Sequence, residues 1–204
     1  TGRGPANATT STMITPRFFL FLAALVTLTV PAMAQSVAEQ KVRSTNDELI
    51  AIAEKVPNNE VLMQKVRPVL EKNMSFAAMT RRAIGPGWRT FTPDQQKKAI
   101  SLFTDLIIRR YAGRYTIGER PEVTYKAATT PAPGRAEVPT LVLYKGSKYE
   151  VIYRLEQSED WRITDVVVEG VSFVGNYRSQ FDAQFQKGGA TAVLAALTNA
   201  VNNP

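Results

Sequence analysis

The chain has 204 residues, a formal net charge of +7, and neither cysteine nor histidine. A modest positive charge interspersed with acids favours contact with anionic surfaces and does not argue for nucleic-acid binding. Without cysteine and histidine the chain has no disulfide, no Ser-His-Asp triad and no zinc site with the usual nitrogen and sulfur ligands. Any enzyme activity would rest on Asp, Glu, Lys, Tyr or Ser side chains alone.

The N-terminal stretch has the pattern of a secretory signal. Met13 opens it, Arg17 supplies the positive charge, residues 18–30 are apolar, and residues 32–34 form a small-x-small cleavage site. The apolar run is shorter than the roughly 20 residues that a membrane-spanning helix needs. The pattern therefore predicts a cleaved peptide and not an anchor, and the alternative is a buried N-terminal helix.

This interpretation divides the chain into three parts. We expect residues 1–12 to be an upstream or vector-derived segment, residues 13–34 to be a signal peptide cleaved after Ala34, and residues 35–204 to form one domain. A domain of that length is large enough to bury a real core. Because it has no cysteine, its stability must come from that core.

Helical periodicity fills the first part of the predicted domain. Apolar residues recur at helical spacing over residues 36–55, 60–72 and 76–84. Pro57 stops the first of these helices, and a turn that starts at Gly85 ends the third. The pattern therefore predicts three helices that each bury one apolar face.

The next helix has the clearest start in the chain and is predicted from Thr92 to about residue 117. Thr92 is placed to be the N-cap, Pro93 to be the first helical residue, and Gln95 to complete a capping box. Its apolar stripe is wide, which is typical of plain core but leaves room for a pocket wall. The stripe includes Phe103, Ile107 and Tyr111.

From residue 119 the apolar period changes to two, which indicates strands. Four strands are predicted, over residues 119–127, 136–144, 148–156 and 161–168, with a Pro- and Thr-rich linker at 129–134. Helices follow over residues 172–186 and 191–200, separated by Gly188 and Gly189. The predicted fold class is therefore α+β, with a four-stranded, twisted antiparallel sheet covered by helices on one face.

The most informative segment is residues 165–181, DVVVEGVSFVGNYRSQF. A β-branched strand ends at Glu169-Gly170, and a second apolar patch leads directly into a helix. A strand that feeds into a helix through a glycine places two apolar surfaces face to face, which builds an apolar crevice. Since no catalytic constellation lies in or near the segment, the pattern favours holding an apolar ligand over transforming it.

The competing hypothesis is an enzyme with a cone-shaped pocket in which Asp165 acts as a lone general base. Asp165 and Glu169 would stand roughly 13 Å apart on an extended strand, so they are not expected to share a proton. The structural interpretation is that Asp165 bonds a backbone group or an arginine, and that Glu169 caps the following helix. No catalytic residue, metal ligand or cofactor is assigned.

Basic clusters occur on the predicted helices at Arg81-Arg82, Arg109-Arg110 and Arg114. In one interpretation they form a solvated face whose aliphatic stems cover apolar surface. In the other they contact phosphate groups or an anionic surface. The sequence leaves both open.

These residues together resemble the MlaC-like, or toluene-tolerance, family of periplasmic lipid-binding proteins, over roughly residues 40–200. The most specific matching segment is residues 165–181. The other matching stretches are FAAMTR at 76–81 with Gly85 and Trp88, FTPDQQ at 91–96, Phe103 with residues 106–111, Val151 with residues 153–155, Trp161, and Gly188-Gly189.

The resemblance implies an NTF2-like or cystatin-like α+β fold whose apolar cavity holds the acyl tails of a phospholipid while the head group stays largely outside. It implies a periplasmic monomer without cofactor or bound nucleic acid. Its partners would be an outer-membrane lipoprotein–porin complex and an inner-membrane ABC transporter with a lipid-binding ring, and its role would be in outer-membrane lipid asymmetry. A hopanoid-associated branch also exists, so a polycyclic or isoprenoid lipid is an alternative cargo. A further alternative is an adaptor with a filled core that docks to transporter components and carries no lipid.

Energetics and periodicity then predict the pocket. Burying a methylene group contributes about 0.8 kcal/mol, so an acyl tail of about 16 carbons gives roughly 12 kcal/mol, which the lipid also loses on leaving a bilayer. The cavity is therefore expected to be as apolar as a bilayer, and a few polar groups inside would spoil it. The residues predicted from periodicity to line it are Phe103, Ile107, Tyr111, Leu141, Leu143, Val151, Tyr153, Val167, Val171, Phe173, Val174 and Tyr177.

Overall fold

The computed structural model describes residues 1–2, 30–114 and 117–203. Most of the predicted signal peptide and upstream segment therefore lies outside the described residues. The first described helix begins at Val30, so the expected cleavage site after Ala34 falls within its opening turns. Among the described residues, no helix is both long enough and apolar enough to cross a membrane.

Five α-helices and six strands make up the described residues. The helices are α1 (Val30–Ala53), α2 (Asn59–Asn73), α3 (Phe76–Ile84), α4 (Pro93–Arg114) and α5 (Phe173–Asn202), with a 3₁₀ segment at Gly85–Thr90 between α3 and α4. The strands are β1 (Glu122–Tyr125), β2 (Thr129–Ala132), β3 (Arg135–Tyr144), β4 (Ser147–Gln157), β5 (Trp161–Val168) and β6 (Val171–Ser172).

Local chemistry accounts for the ends of the helices. Asn58 caps α2 by accepting a hydrogen bond from the Val61 amide at 2.9 Å. At the start of α4, the Thr92 amide donates to the Gln95 side chain at 2.9 Å and the Gln95 amide donates to Thr92 Oγ1 at 3.3 Å. This reciprocal pair is the capping box that the sequence predicts.

Helix α5 is interrupted where the sequence predicts a helix end. Gly188 and Gly189 have non-helical backbone angles, and the φ of Gly189 is +59°. Only glycine adopts that left-handed conformation without strain. The segment therefore consists of two helical pieces joined at a kink.

The sheet is antiparallel, with the order β1-β3-β4-β5-β6. Strands β1 and β2 both pair with the same side of β3, β1 with its C-terminal half and β2 with its N-terminal end. The prediction of four strands is therefore wrong in number. The stretch predicted as a linker forms β2, and an edge strand tolerates its Pro131 because proline only removes a backbone donor. Strand β6 is too short to be recognised from periodicity.

Two tight turns set the strand register. Lys145 and Gly146 have φ of 51° and 75°, and Glu169 and Gly170 have φ of 49° and 76°. Two-residue hairpin turns of this kind need positive φ at both positions, because their twist matches that of the strands. They join β3 to β4 and β5 to β6.

The helices lie against one face of the sheet. Helix α1 contacts β3 and β5, and α5 contacts β5. Along β3 the buried residues Ala136, Val138 and Thr140 alternate with more exposed neighbours, so the even-numbered side chains face the helices. This interface positions the cavity described below.

Replacing Thr92 with alanine tests the capping box. We expect the substitution to lower the free energy of unfolding by about 1 kcal/mol, because the Gln95 amide at the start of α4 loses its side-chain acceptor. Chemical denaturation measures the change. Ser101→Ala, an exposed position on the same helix, is the matched control and should stay within about 0.5 kcal/mol of the wild type. Equal stability of the two variants would contradict the assignment.

Candidate functional site

A cavity of about 510 Å³ lies between the sheet and its helical cover. That volume falls within the range of about 300–1,000 Å³ that is usual for small-molecule pockets. Its helical wall contains Thr45, Asn46, Leu49, Ile50, Leu70, Met74, Met79, Ile107, Arg110 and Phe173. Its sheet wall and rim contain Pro121, Val123, Val142, Tyr144, Tyr149, Val151, Tyr153, Ile163, Val166 and Val168. Most of these side chains are apolar.

The cavity has a closed end and an open end. Met79 and Ile163 are almost fully buried, at 1% and 2% exposure. Arg110 is exposed, and Tyr149, near the tip of the β3–β4 hairpin, is 38% exposed. The opening therefore lies near the hairpin tip, and it carries the single arginine of the lining.

A small polar group interrupts the apolar wall. The Tyr153 hydroxyl donates to Asn46 Oδ1 at 3.2 Å, and Asn46 Nδ2 donates to the Tyr125 hydroxyl at 3.1 Å. The Arg43 guanidinium lies 3.9 Å from the centre of the Tyr125 ring. Burial raises the pKa of Tyr153 to about 12, so its hydroxyl keeps its proton at neutral pH. This group departs from the fully apolar wall that the energetic argument predicts.

Four of the residues predicted from periodicity line the cavity. Ile107 comes from α4, Val151 and Tyr153 from β4, and Phe173 from the start of α5. They surround the space from three elements that are distant in sequence. Their contact with a ligand stays a prediction.

Three predicted strand residues lie outside the lining. On β3 the residues that line the cavity are Val142 and Tyr144, so Leu141 and Leu143 lie on the other face of the sheet. On β5, Val166 and Val168 line the cavity in place of Val167. The physical reason is the period of two, because an error of one residue moves a whole set of side chains to the opposite face.

A slip in strand pairing explains why Val166 and Val168, and not Val167, face the cavity. The β4–β5 pairing is regular up to Arg154, which lies opposite Asp165, and then slips so that Leu155 lies opposite Ile163. A β-bulge of this kind inserts one extra residue and changes which side chains face the core. Ile163 and Val166 therefore both face the cavity although they are three residues apart.

Of the five remaining predicted residues, four lie outside the lining. Phe103, Val174 and Tyr177 are buried in the core between α4 and α5, where the Phe103 ring meets the Tyr177 ring edge-on with 5.2 Å between centroids. Val171 is 60% exposed on the β5–β6 hairpin. Tyr111 belongs to α4, but its side chain lies outside the described residues.

The sequence analysis missed the part of the wall that comes from α1, α2 and α3. Leu49, Leu70 and Met79 are representative, and each is buried. Their helical spacing shows that they face inward, but it does not distinguish a side chain that packs against a neighbour from one that borders a space. The signal that could have found Asn46 is a polar residue within an otherwise apolar stripe.

Asp165 does not line the cavity, and its carboxylate is occupied by structural contacts. Its Oδ1 accepts from the Val166 and Val174 amides, at 2.9 and 3.1 Å, and its Oδ2 accepts from the Ser172 hydroxyl at 2.6 Å. Arg154 donates to Oδ2 at 3.3 Å. The predicted bonds of Asp165 to backbone groups and to an arginine are confirmed. Among the described residues, no cluster of carboxylates could hold a metal ion.

The expectation for Glu169 is wrong. Its carboxylate accepts from the Glu150 amide on the neighbouring strand β4 and does not cap α5. Ser172 caps α5 instead, accepting from the Gly175 amide at 2.9 Å. The positive φ of Glu169 is that of a residue within the hairpin turn between β5 and β6.

A second, basic concavity lies where the 3₁₀ segment meets α5. It is lined by Arg81, Arg89, Arg178, Trp88, Gly85 and Pro86. Arg178 donates to Asp182 at 3.2 Å, and a side chain added at Gly85 would meet the Arg178 guanidinium at 2.5 Å. Arg82 instead pairs with Glu156. The two arginines of the Arg81-Arg82 cluster therefore differ: Arg82 forms an ion pair, and Arg81 belongs to an exposed basic surface.

Fold and cavity define a class, namely α+β proteins in which an antiparallel sheet and its helical cover enclose an apolar space. A family model described as "MlaC protein" matches residues 39–199, and the chain belongs to the MlaC family. No curated protein matches the chain. It is similar to a phospholipid-binding protein from Ralstonia solanacearum, solved at 1.53 Å in complex with a phospholipid, with 26% identity and a TM-score of 0.76. That match covers 81% of this chain and 97% of the other.

The raised pKa of Tyr153 gives a direct test of the polar group in the wall. A pH titration of phenolate absorbance in the folded protein should contain a component near pH 12 that is absent from Tyr153→Phe. Since the folded state favours the neutral phenol, its contribution to stability is complete below pH 10 and is lost as the pH rises to about 12. If the difference between the wild-type and Tyr153→Phe titration curves is centred at pH 10, the Tyr153 hydroxyl is hydrated and the assignment is wrong.

Proposed function

We propose that the chain is a lipid carrier that holds hydrocarbon in the cavity between sheet and helices without transforming it. The observation that carries the proposal is the cavity itself, of about 510 Å³ and walled mostly by apolar side chains. An empty space of that size forfeits packing contacts, so its presence in a folded domain argues for an occupant. The Ralstonia protein that shares this fold is described in complex with a phospholipid, which supports a phospholipid as that occupant.

The orientation of the cargo follows from the two ends of the cavity. Acyl tails would point toward Met79 and Ile163, where burial is nearly complete. A charged head group would stay near Tyr149 and Arg110, because the exposed guanidinium can contact a phosphate without the cost of burying either charge. This arrangement gains most of the tail burial and keeps the head group in water.

Transport between membranes is the role that this chemistry supports best. Most of the cavity wall is apolar, as the interior of a bilayer is, so we propose that transfer of a tail in either direction is nearly balanced and that partners decide the outcome. We propose a periplasmic shuttle between an outer-membrane lipoprotein–porin complex and an inner-membrane ABC transporter. The exposed arginines of the basic concavity, Arg81 and Arg89, are candidates for docking to such partners.

Lipid retained through purification tests carriage directly. Native mass spectrometry of the protein from cells should show a mass shift of one lipid, and extraction should identify a phospholipid. A polycyclic or isoprenoid lipid in the extract would point to the alternative cargo. Protein that carries no lipid and takes none from labelled vesicles would contradict the carrier function.

Phe173→Asp tests the position of the binding site. A carboxylate introduced into the apolar wall must remain hydrated or be neutralised, and either opposes tail binding. We expect lipid uptake from labelled vesicles to fall by more than about tenfold, which corresponds to about 1.4 kcal/mol. Val37→Asp places the same charge at a side chain that is 43% exposed and serves as the matched control. Equal uptake by both variants, with folding verified by circular dichroism, would move the site elsewhere.

A further inference from the structure

The polar group formed by Asn46 and Tyr153 lies well inside the cavity. Tyr149, Val151 and Tyr153 face the cavity in succession along β4. Since a strand rises about 3.3 Å per residue, Tyr153 lies roughly 13 Å along the strand from the exposed Tyr149. Asn46 reaches the same depth from α1 and is only 8% exposed. The group is therefore surrounded by apolar wall and is remote from the open end.

Hydrogen-bond accounting shows that Asn46 is incompletely satisfied. A side-chain amide has two N–H donors and an oxygen that accepts twice. Among the described residues, Nδ2 donates to the Tyr125 hydroxyl, and Oδ1 accepts from the Tyr153 hydroxyl. One N–H of Asn46 has no protein acceptor within this part of the chain. Buried donors are normally paired, because an unpaired one loses its hydration without compensation.

The two tyrosines hold the amide in place. Tyr153 extends from the sheet and Tyr125 from the edge strand β1, so Asn46 is bonded from two directions. The Arg43 guanidinium on the Tyr125 ring adds a further contact to this arrangement. Because Tyr153 remains protonated up to about pH 12, it donates throughout the physiological range and leaves the amide nitrogen to serve other acceptors. These two hydrogen bonds fix the plane of the Asn46 amide and therefore the direction of its remaining N–H.

The surroundings limit what kind of acceptor can reach that N–H. A hydrocarbon tail offers none. A phosphate would bring a charge into a region where no lining side chain is cationic, because Arg110 lies at the open end and Arg43, which contacts the Tyr125 ring, is not part of the lining. A neutral oxygen at the junction between head group and tails, such as an ester carbonyl, meets both conditions.

We propose that Asn46 donates a hydrogen bond to an ester carbonyl of the bound lipid, and that this contact makes the carrier selective for ester-linked glycerolipids. The inference deepens the proposed function and rests on it. It explains why a carrier of hydrocarbon has an amide in its wall. The head group then lies on the Tyr149 side of Asn46, and the tails lie on the Ile163 side.

The test uses vesicles that contain equal amounts of diacyl phosphatidylglycerol and its dialkyl ether analogue with the same chains. The ether lacks the carbonyl and keeps the phosphate and the tails. Bound lipid is extracted and the ester-to-ether ratio is compared between the wild type and Asn46→Leu, so that any difference in how the bilayer holds the two lipids cancels. We expect the ratio to be about fivefold higher in the wild type, which is the effect of one net hydrogen bond.

Asn73→Leu is the matched control, because it makes the same change at a side chain that is 5% exposed on α2 and outside the cavity lining. We expect it to keep the wild-type ratio. Equal ratios in the wild type and Asn46→Leu, with both loaded, would overturn the selectivity and leave carriage intact. A wild type that loads neither lipid would instead refute the proposed function.

A second measurement needs no variant and can still overturn the proposal if Asn46→Leu does not fold. Infrared spectra of the wild type loaded with isotope-labelled ester carbonyls should show one carbonyl band at the lower frequency of a hydrogen-bonded group. Bands at the frequency of a dry ester alone would overturn the proposal.

Discussion

The structure depends on covering one face of a twisted sheet with helices that do not fill the whole interface. Phe103 on α4 packs edge-on against Tyr177 and also contacts Phe181 on α5, and this aromatic cluster joins the two helices. Aromatic packing of this kind buries a large area and fixes the relative position of the elements. The cavity lies between this helical cover and the face of the sheet that includes Val151.

One irregularity in the sheet serves both the fold and the cavity. The bulge in β5 lets Asp165 receive the amide of Val174 at the start of α5 and the hydroxyl of Ser172. A carboxylate at a helix N-terminus is also favoured by the helix dipole. The same bulge turns Val166 and Val168 toward the cavity. The carboxylate that sequence reasoning considers as a possible general base is thus a support for the wall.

The polar group in the wall changes the physical description of the site. A fully apolar cavity would take any hydrocarbon of suitable size, because the hydrophobic effect has no direction. In the proposed binding mode, an amide that two tyrosines hold in place adds direction and chemical selectivity. Its cost in free energy is modest, because its oxygen and one of its two N–H groups are already paired within the protein. Holding the tails and selecting the lipid can therefore be assigned to different parts of one cavity.

The amino-acid sequence by itself determined the features that depend on near neighbours. The capping box at Thr92, the helix α3, the glycine kink at Gly188-Gly189 and the class of the fold follow from spacing and side-chain type. The expectation of an apolar space also follows, because the chain has more apolar faces than a small sheet needs. The resemblance to the MlaC family was available from the motifs, chiefly residues 165–181.

Only the tertiary structure decided which side chains border the space. Val142 lines the cavity and Leu141 does not, although the two are equally apolar and adjacent. The side of the sheet on which a side chain lies depends on the strand register and on the bulge near Asp165. Both arise from pairing between segments that are separate in the sequence. The lining residues of α1, α2 and α3 could not be predicted either, because periodicity shows that a helix face points inward but not whether another side chain packs against it. Contacts between near neighbours can be predicted from a short stretch of sequence, whereas a cavity exists only when all the elements that form its walls have come together.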